Sequence, residues 1–180
     1  MPVVMVDGPH PALLESARLL SQCDVRAQRR SGPGGQHRNK TSSGVFLFHD
    51  PTGVRSEATE RRSQADNRAV ALQRLRYQLA IEVRSPAGLD AAASGQDPLE
   101  SELRQRFGGA PLRMNQNNPA KPAVLALILN DLHVAGGQPS LVARHWNTTT
   151  SSIVAFVKSH APAFTLLNAI RQHHGRRPLK

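Results

Sequence analysis

Apolar spacing along the 180-residue chain separates a first stretch of mixed periods from a second that is helical throughout. Residues 11–21 place Leu13, Leu14, Ala17 and Leu20 on one face, which predicts a short helix. Val25, Ala27 and Arg29 then alternate with Arg26 and Gln28, the period of a strand. Residues 45–49 (Val-Phe-Leu-Phe-His) are strand formers, Pro51-Thr52-Gly53 makes a turn, and residues 54–59 read as the partner strand of a hairpin. Ser63 is a suitable N-cap with Asp66 three residues on. Beyond it Ala65, Ala69, Leu72, Leu75, Leu79 and Val83 fall near one face, with Arg68, Gln73, Arg74, Arg76 and Gln78 largely elsewhere. This predicts a long amphipathic helix ending before Pro86.

Residues 85–98 are small, polar and interrupted by Gly and Pro, and read as a linker or mobile loop. A helix over 99–107 stops at Gly108-Gly109, and residues 113–121, with Asn115, Gln116, Asn117 and Asn118, read as loop. A strongly apolar helix is expected over 123–134, two short helices over 140–146 and 151–158, and a last one over 164–173 before the basic end Arg176-Arg177-Pro178-Leu179-Lys180. The fold class is therefore α+β. A small hairpin-based sheet with a packed long helix occupies residues 1–84, and a linker at 85–98 leads to an all-helical region at 99–180. The paired short helices have the length of a helix-turn-helix. The second offers only Lys158, and no Asn, Gln or Arg for base edges, so it is a poor reader of DNA.

Composition narrows the class. Hydrophobic residues make up 39% of the chain but aromatics only 4%, so the core must come from Leu, Val, Ile and Ala. A formal net charge of +10 favours a polyanionic partner, nucleic acid first, over a merely soluble basic protein. Cys23 stands alone, which excludes an internal disulfide, and reads as a small packed hydrophobe. The start of the chain lacks the early cation and apolar length of a signal peptide, and no apolar run approaches the ~20 residues of a membrane span. No membrane association, metal or cofactor is expected, and the location expected is cytoplasmic.

The chemistry is concentrated in Arg30-Ser31-Gly32-Pro33-Gly34-Gly35-Gln36-His37-Arg38-Asn39-Lys40-Thr41, a glycine loop with cations on both sides. His49-Asp50-Pro51-Thr52-Gly53 and Arg62-Ser63-Gln64-Ala65-Asp66-Asn67-Arg68 follow it. Together these resemble, in order and at similar spacing, the Gly-Gly-Gln loop, the H-x-P-T-G element and the R-S-Q-x-x-N-[KR] element of class I peptide chain release factors. The resemblance covers roughly residues 20–84. Gly136-Gly137-Gln138 repeats the tripeptide without its flanks and runs into Pro139, so it reads as a helix stop followed by a helix start.

The resemblance implies hydrolysis of peptidyl-tRNA on the ribosome, with Gly34, Gly35 and Gln36 as the catalytic residues. Glycines let the backbone approach closely and reach φ values closed to other residues. The family assigns the oxyanion contact to the backbone amide of the residue matching Gln36, and confinement of the attacking water to its side chain. His37, which titrates near neutrality, is disfavoured as a base, because the family places acid–base help on the tRNA ribose hydroxyl and the ribosome. Arg29, Arg30, Ser31, His37, Arg38, Asn39, Lys40, Thr41, Arg61, Arg62 and Gln64 are the expected RNA-binding residues. Their cations would neutralise rRNA and tRNA phosphates. Arg38 stands where the family usually carries an apolar residue. Ser63, Gln64 and Asn67 are equally explained as stabilisers of the long helix start.

Implied partners are peptidyl-tRNA, the large-subunit rRNA at the peptidyl transferase centre and a rescue partner protein, with residues 99–180 expected to anchor the chain on the ribosome or on that partner. Residues 1–20 and 85–180 show nothing similar to a codon-reading domain. The expectation is thus the smaller release-factor-like type, which frees peptides from stalled ribosomes without reading a stop codon. Two alternatives stay open: a non-catalytic ribosome- or RNA-binding module using the same basic loop, and a nucleic-acid-binding regulator built on the helical half.

Overall fold

The computed structural model describes residues 3–28, 43–85, 89, 97–109 and 111–180. Its strands are β1 (Val4–Met5), β2 (Cys23–Gln28), β3 (Gly44–His49), β4 (Arg55–Ala58) and β5 (Val83–Arg84). Its helices are α1 (Ser16–Ser21), α2 (Gln64–Glu82), α3 (Pro98–Phe107), α4 (Lys121–Val134), α5 (Pro139–His145), α6 (Thr150–Lys158) and α7 (Ala161–His173). Strands β2, β3 and β4 form an antiparallel sheet in that order, and β1 pairs in parallel with β5. The architecture is α+β: a small hairpin-based sheet with a long helix packed on it, then a helical region.

Side-chain alternation along β3 sets the two faces of the sheet. Val45 and Leu47 are buried beneath α2, while Phe46 and Phe48 point to the half-buried opposite face. The Ser56 hydroxyl on β4 donates to the Ala71 carbonyl on α2 at 2.8 Å, pinning the helix across the sheet. The Ser63 side chain caps α2 by accepting from the Asp66 N–H at 3.2 Å, as its sequence predicts. Inside the helix Asn67, Ala71, Leu75, Leu79 and Ala80 are buried, so Leu75 and Leu79 of the expected face lie in the core and Leu72 packs against it, whereas its first members do not. Ala65 and Ala69 are exposed. A pattern that counts only apolar side chains overlooks a row that opens with asparagine.

Two further expectations are corrected. Val83 leaves α2, taking an extended backbone (φ −109°, ψ 146°), and pairs with Val4. Residues 11–21 are not one helix. A 3-10 turn at Pro11–Leu13 is followed by extended Leu14 (ψ 145°), and only then by α1. That break turns Leu14 and Leu19 into the core and leaves Ala17 exposed. His10 fixes the break. Its Nδ1 accepts from the Ala12 N–H at 3.1 Å, so its Nε2–H donates to the Val83 carbonyl, also at 3.1 Å.

In the helical region α4 is apolar on every side and buried from Lys121 to Leu132. Ala126 of α4 reaches the core shared by α2 and the sheet, and the Tyr77 ring of α2 stacks on His160 at 4.5 Å. Asp131, fully buried, accepts both Arg104 Nη groups at 2.5 and 3.0 Å and Trp146 Nε1–H at 2.6 Å. Gly136 (φ +57°) and Gly137 (φ +71°) end α4, and Pro139 opens α5, so the second Gly-Gly-Gln is a helix-to-helix turn. No helix among the described residues is long and apolar enough to cross a membrane.

Burial holds His10 at a pKa of about 4, against 6.5 for the free side chain. As pH falls below about 6.5 the unfolded chain takes up this proton while the fold resists it. The stabilisation is therefore whole above that pH and shrinks steadily toward pH 4, by roughly 3 kcal/mol at most. Urea unfolding at pH 7 and pH 4.5 should show that loss in the wild type, and His10→Gln should flatten it. An equal loss in both proteins would refute the assignment.

Candidate functional site

Arg29, Arg30, Ser31, Gly34, Gly35, Gln36, His37, Arg38, Asn39, Lys40 and Thr41 lie outside the described residues; the anchorage around them lies within. The segment 29–42 joins β2 to β3, whose last ladder pair is Gln28 with Gly44. Gly44 is required at that root. A Cβ there would stand 2.9 Å from the Gln28 carbonyl oxygen and 3.0 Å from Thr59 Cγ2. Ala58 of β4 pairs with Val45, so the chain leaves the sheet at the same end and enters α2 through Thr59–Ser63.

Asn67 locks this end together. Its Nδ2 donates to the Ser43 carbonyl at 2.6 Å and the Arg61 carbonyl at 2.9 Å, and its Oδ1 accepts from the Arg61 N–H at 2.9 Å. The residue is fully buried. One carboxamide thus ties the root of segment 29–42 to the strand-to-helix connection. The sequence signal is present, since Asn67 is the one polar member of an otherwise apolar i, i+4 row, but sequence alone marks it only as a stabiliser of the helix start.

The other expected RNA-binding residues, Arg61, Arg62 and Gln64, are all exposed at this end, where the positive end of the α2 dipole also emerges. The neighbouring acid is neutralised. Glu60 accepts from the Thr59 N–H at 2.9 Å and from Arg74 at 2.6 Å, contacts that lower its pKa, the backbone bond most. Arg61 and Arg62 thus face solvent with Glu60 already bonded, and Asp66 is the exposed acid in the first turn of α2.

The H-x-P-T-G element sits elsewhere. His49 is at the far end of β3, roughly 17 Å away at ~3.3 Å per residue. It is buried between Thr52 Oγ1 at 2.7 Å and Gln22 Oε1 at 3.2 Å, and burial lowers its pKa. With Gly53 at φ +72°, it builds the β3–β4 turn. Cys23 is equally structural: its thiol donates to the Leu19 carbonyl, and burial pushes its pKa up to about 11, far from a nucleophile.

A hairpin sheet with one long helix, a basic end and a glycine-rich β2–β3 connection defines the architecture of a release-factor catalytic domain. Residues 20–105 match the RF-1 domain. Over 73 residues the chain is 47% identical to "Peptide chain release factor 2" of Acidovorax sp. (strain JS42), a stretch covering 39% of this chain and 20% of that protein. It is 41% identical over 93 residues to "Peptide chain release factor 1" of Verminephrobacter eiseniae (strain EF01-2), covering 51% and 25%. The corresponding protein of Acidiphilium cryptum (strain JF-5) is 43% identical over 76 residues, covering 41% and 22%. The matched stretch thus spans a fifth to a quarter of these relatives. Through this domain the chain is similar to the class I peptide chain release factors.

Replacing Asn67 by Ala removes three hydrogen bonds and strands buried backbone groups of Ser43 and Arg61, a loss of roughly 2–4 kcal/mol. Melting followed by circular dichroism should fall by about 5–15 °C. A change under about 1 °C would show that the carboxamide does not hold this end.

Proposed function

We propose that this protein hydrolyses the ester of peptidyl-tRNA on the ribosome, and that it does so on stalled ribosomes without reading a stop codon. The observation that carries the first part is the Gly34-Gly35-Gln36 sequence, set between two strands whose roots are closed by the Gln28–Gly44 pair and the Asn67 clamp within the matched RF-1 domain. For the second part, the support is that residues 106–180 fall outside that match and fold as helices around α4.

Water attacks the ester carbonyl, the carbon–oxygen bond to the tRNA ribose breaks, and the ribose oxygen leaves with a proton. Negative charge gathers on the carbonyl oxygen as the tetrahedral centre forms. The backbone N–H of Gln36 donates to that oxygen, a contact typically worth ~3 kcal/mol when prearranged. Gly34 and Gly35 allow the approach, and the Gln36 side chain confines the water. Arg29, Arg30, Ser31, His37, Arg38, Asn39, Lys40, Thr41, Arg61, Arg62 and Gln64 hold the surrounding RNA, through phosphates in the case of the cations. Peptidyl-tRNA is the substrate, and large-subunit rRNA is the surface that receives the loop.

The test is peptide release from ribosomes carrying peptidyl-tRNA with no stop codon in the A site. Wild type should release peptide, Gly35→Ala should be slower by at least about 100-fold, and Gln36→Ala should lose less. Binding without release by either protein would replace hydrolysis with the non-catalytic RNA-binding reading. Release only with a stop codon present would overturn codon independence.

A further inference from the structure

From Leu132 to Lys180 the chain contains no Asp or Glu, while Arg144, Lys158, Arg171, Arg176, Arg177 and Lys180 carry positive charge. The last acid before this stretch, Asp131, is fully buried and bound to Arg104 and Trp146. Helices α5–α7 and the terminal segment thus supply a surface with cations and no acidic side chain of their own.

The Gly136-Gly137 turn gathers part of this charge on one face. The Gly137 carbonyl accepts from Arg171 Nη1 at 2.7 Å, and the Gly136 carbonyl accepts from Arg176 Nε at 3.0 Å. Arg171 Nε donates to the Arg177 carbonyl at 2.8 Å. A Cβ on Gly137 would meet Arg171 Cγ at 2.6 Å, so the glycine makes room for the arginine to cross the turn. The His174 ring lies 3.3 Å from the Cβ position of Gly136, and His173 and His174 meet edge-on at 5.2 Å. His133, exposed on the last turn of α4, completes the face. Burial, then the charges of Arg84, His174 and His173, lower its pKa, which marks a positive field there.

The terminal segment is pinned as well. Asn168 Oδ1 accepts from the Leu179 N–H at 2.8 Å, and Asn168 Nδ2 donates to the Leu179 carbonyl at 3.2 Å. Arg176, Arg177 and Lys180 are therefore held on a folded surface. The arginines that anchor it bond to backbone carbonyls, which steer a guanidinium without cancelling its charge. An ordinary solvated surface mixes cations with acids.

We propose that this face, centred on Arg171, Arg176, Arg177 and Lys180, is a phosphate-docking surface for double-stranded RNA, separate from the glycine loop. A cluster of cations on an anchored backbone suits a duplex backbone, and A-form RNA is recognised chiefly through its shape, phosphates and ribose hydroxyls. DNA sequence reading has no support nearby, since α6 exposes Ser151, Ala155 and Lys158 and buries Ile153, Phe156 and Val157. The choice of RNA over other polyanions rests on the ribosomal reading above; the existence of the surface does not.

The test uses the full chain and a fluorescein-labelled 20-base-pair RNA duplex, followed by anisotropy between about 50 and 200 mM KCl. Arg177→Glu/Lys180→Glu changes two side chains that make no hydrogen bond or ion pair among the described residues. At an unchanged melting temperature it should weaken binding at least about tenfold and make the log Kd against log salt slope shallower by about two. Arg177→Gln/Lys180→Gln should move both readouts in the same direction by less. Equal affinity of variant and wild type would overturn the proposal. So would equally tight binding of a DNA duplex, or an effect confined to phosphatidylglycerol vesicles. The readout needs no ester hydrolysis, so it stands or falls separately from the peptide-release result.

Discussion

The end of the sheet from which the glycine loop emerges depends on Asn67. Three backbone groups there, the carbonyls of Ser43 and Arg61 and the N–H of Arg61, bond to this one carboxamide. A buried polar group left without a partner costs about as much as several kilocalories of core packing can supply, so the site holds only with all three contacts made. The consequence is mechanical. Strand β3, the strand-to-helix connection and the start of α2 become one body, and the roots of a glycine-rich segment inherit its rigidity. The proposed hydrolysis, in which one backbone N–H must be aimed, calls for such a base, because glycines supply no stiffness of their own.

Electrostatics at the same end follow from the same geometry. The first turn of α2 points its unsatisfied amides there, and Glu60 is drawn away by Thr59 and Arg74. Arg61 and Arg62 are exposed there, beside Asp66 in the first turn of α2. The helical region reaches a comparable result by another route. Two of its acids lie inside, where Asp131 holds Arg104 and Trp146, and burial raises the Glu100 pKa to about 7, while Glu102 on α3 is exposed. The surface of the last third is left basic because its one nearby carboxylate is structural. Taking either partner from the Arg104–Asp131 pair would leave a buried charge alone, which typically costs 3–5 kcal/mol.

The relation between the sheet and the helices is likewise a matter of packing. Ala126 of α4 sits in the core that α2 shares with the sheet, and Tyr77 stacks on His160 at the entry to α7. Arg84, almost fully buried, donates to the Ala80, Ile81 and Val83 carbonyls and so caps the end of α2, while burial lowers its pKa to about 10. Just beyond it, Ser85 accepts from Asn130 of α4 at 2.8 Å. The chain therefore leaves α2 already tied to α4.

Elements with local causes were legible from the amino-acid order alone. Ser63 caps α2, Gly108 ends α3, the Gly136-Gly137 turn precedes Pro139, and the apolar run of α4 is buried on every side, because caps, breakers and period act within a few residues. The family motifs were legible for the same reason, being contiguous. Features decided by distant partners were not. His10 breaks the first helix by reaching Val83, 73 positions away, and Val83 abandons α2 to pair with Val4. Asn67 acquires its purpose from Ser43, 24 positions away, and the terminal arginines acquire theirs from the carbonyls of a glycine turn. Sequence settled the elements with local causes, the basic charge and the contiguous motifs through short-range propensity. Tertiary structure decided which polar groups are buried together, because only the packed chain removes the water that would otherwise satisfy them.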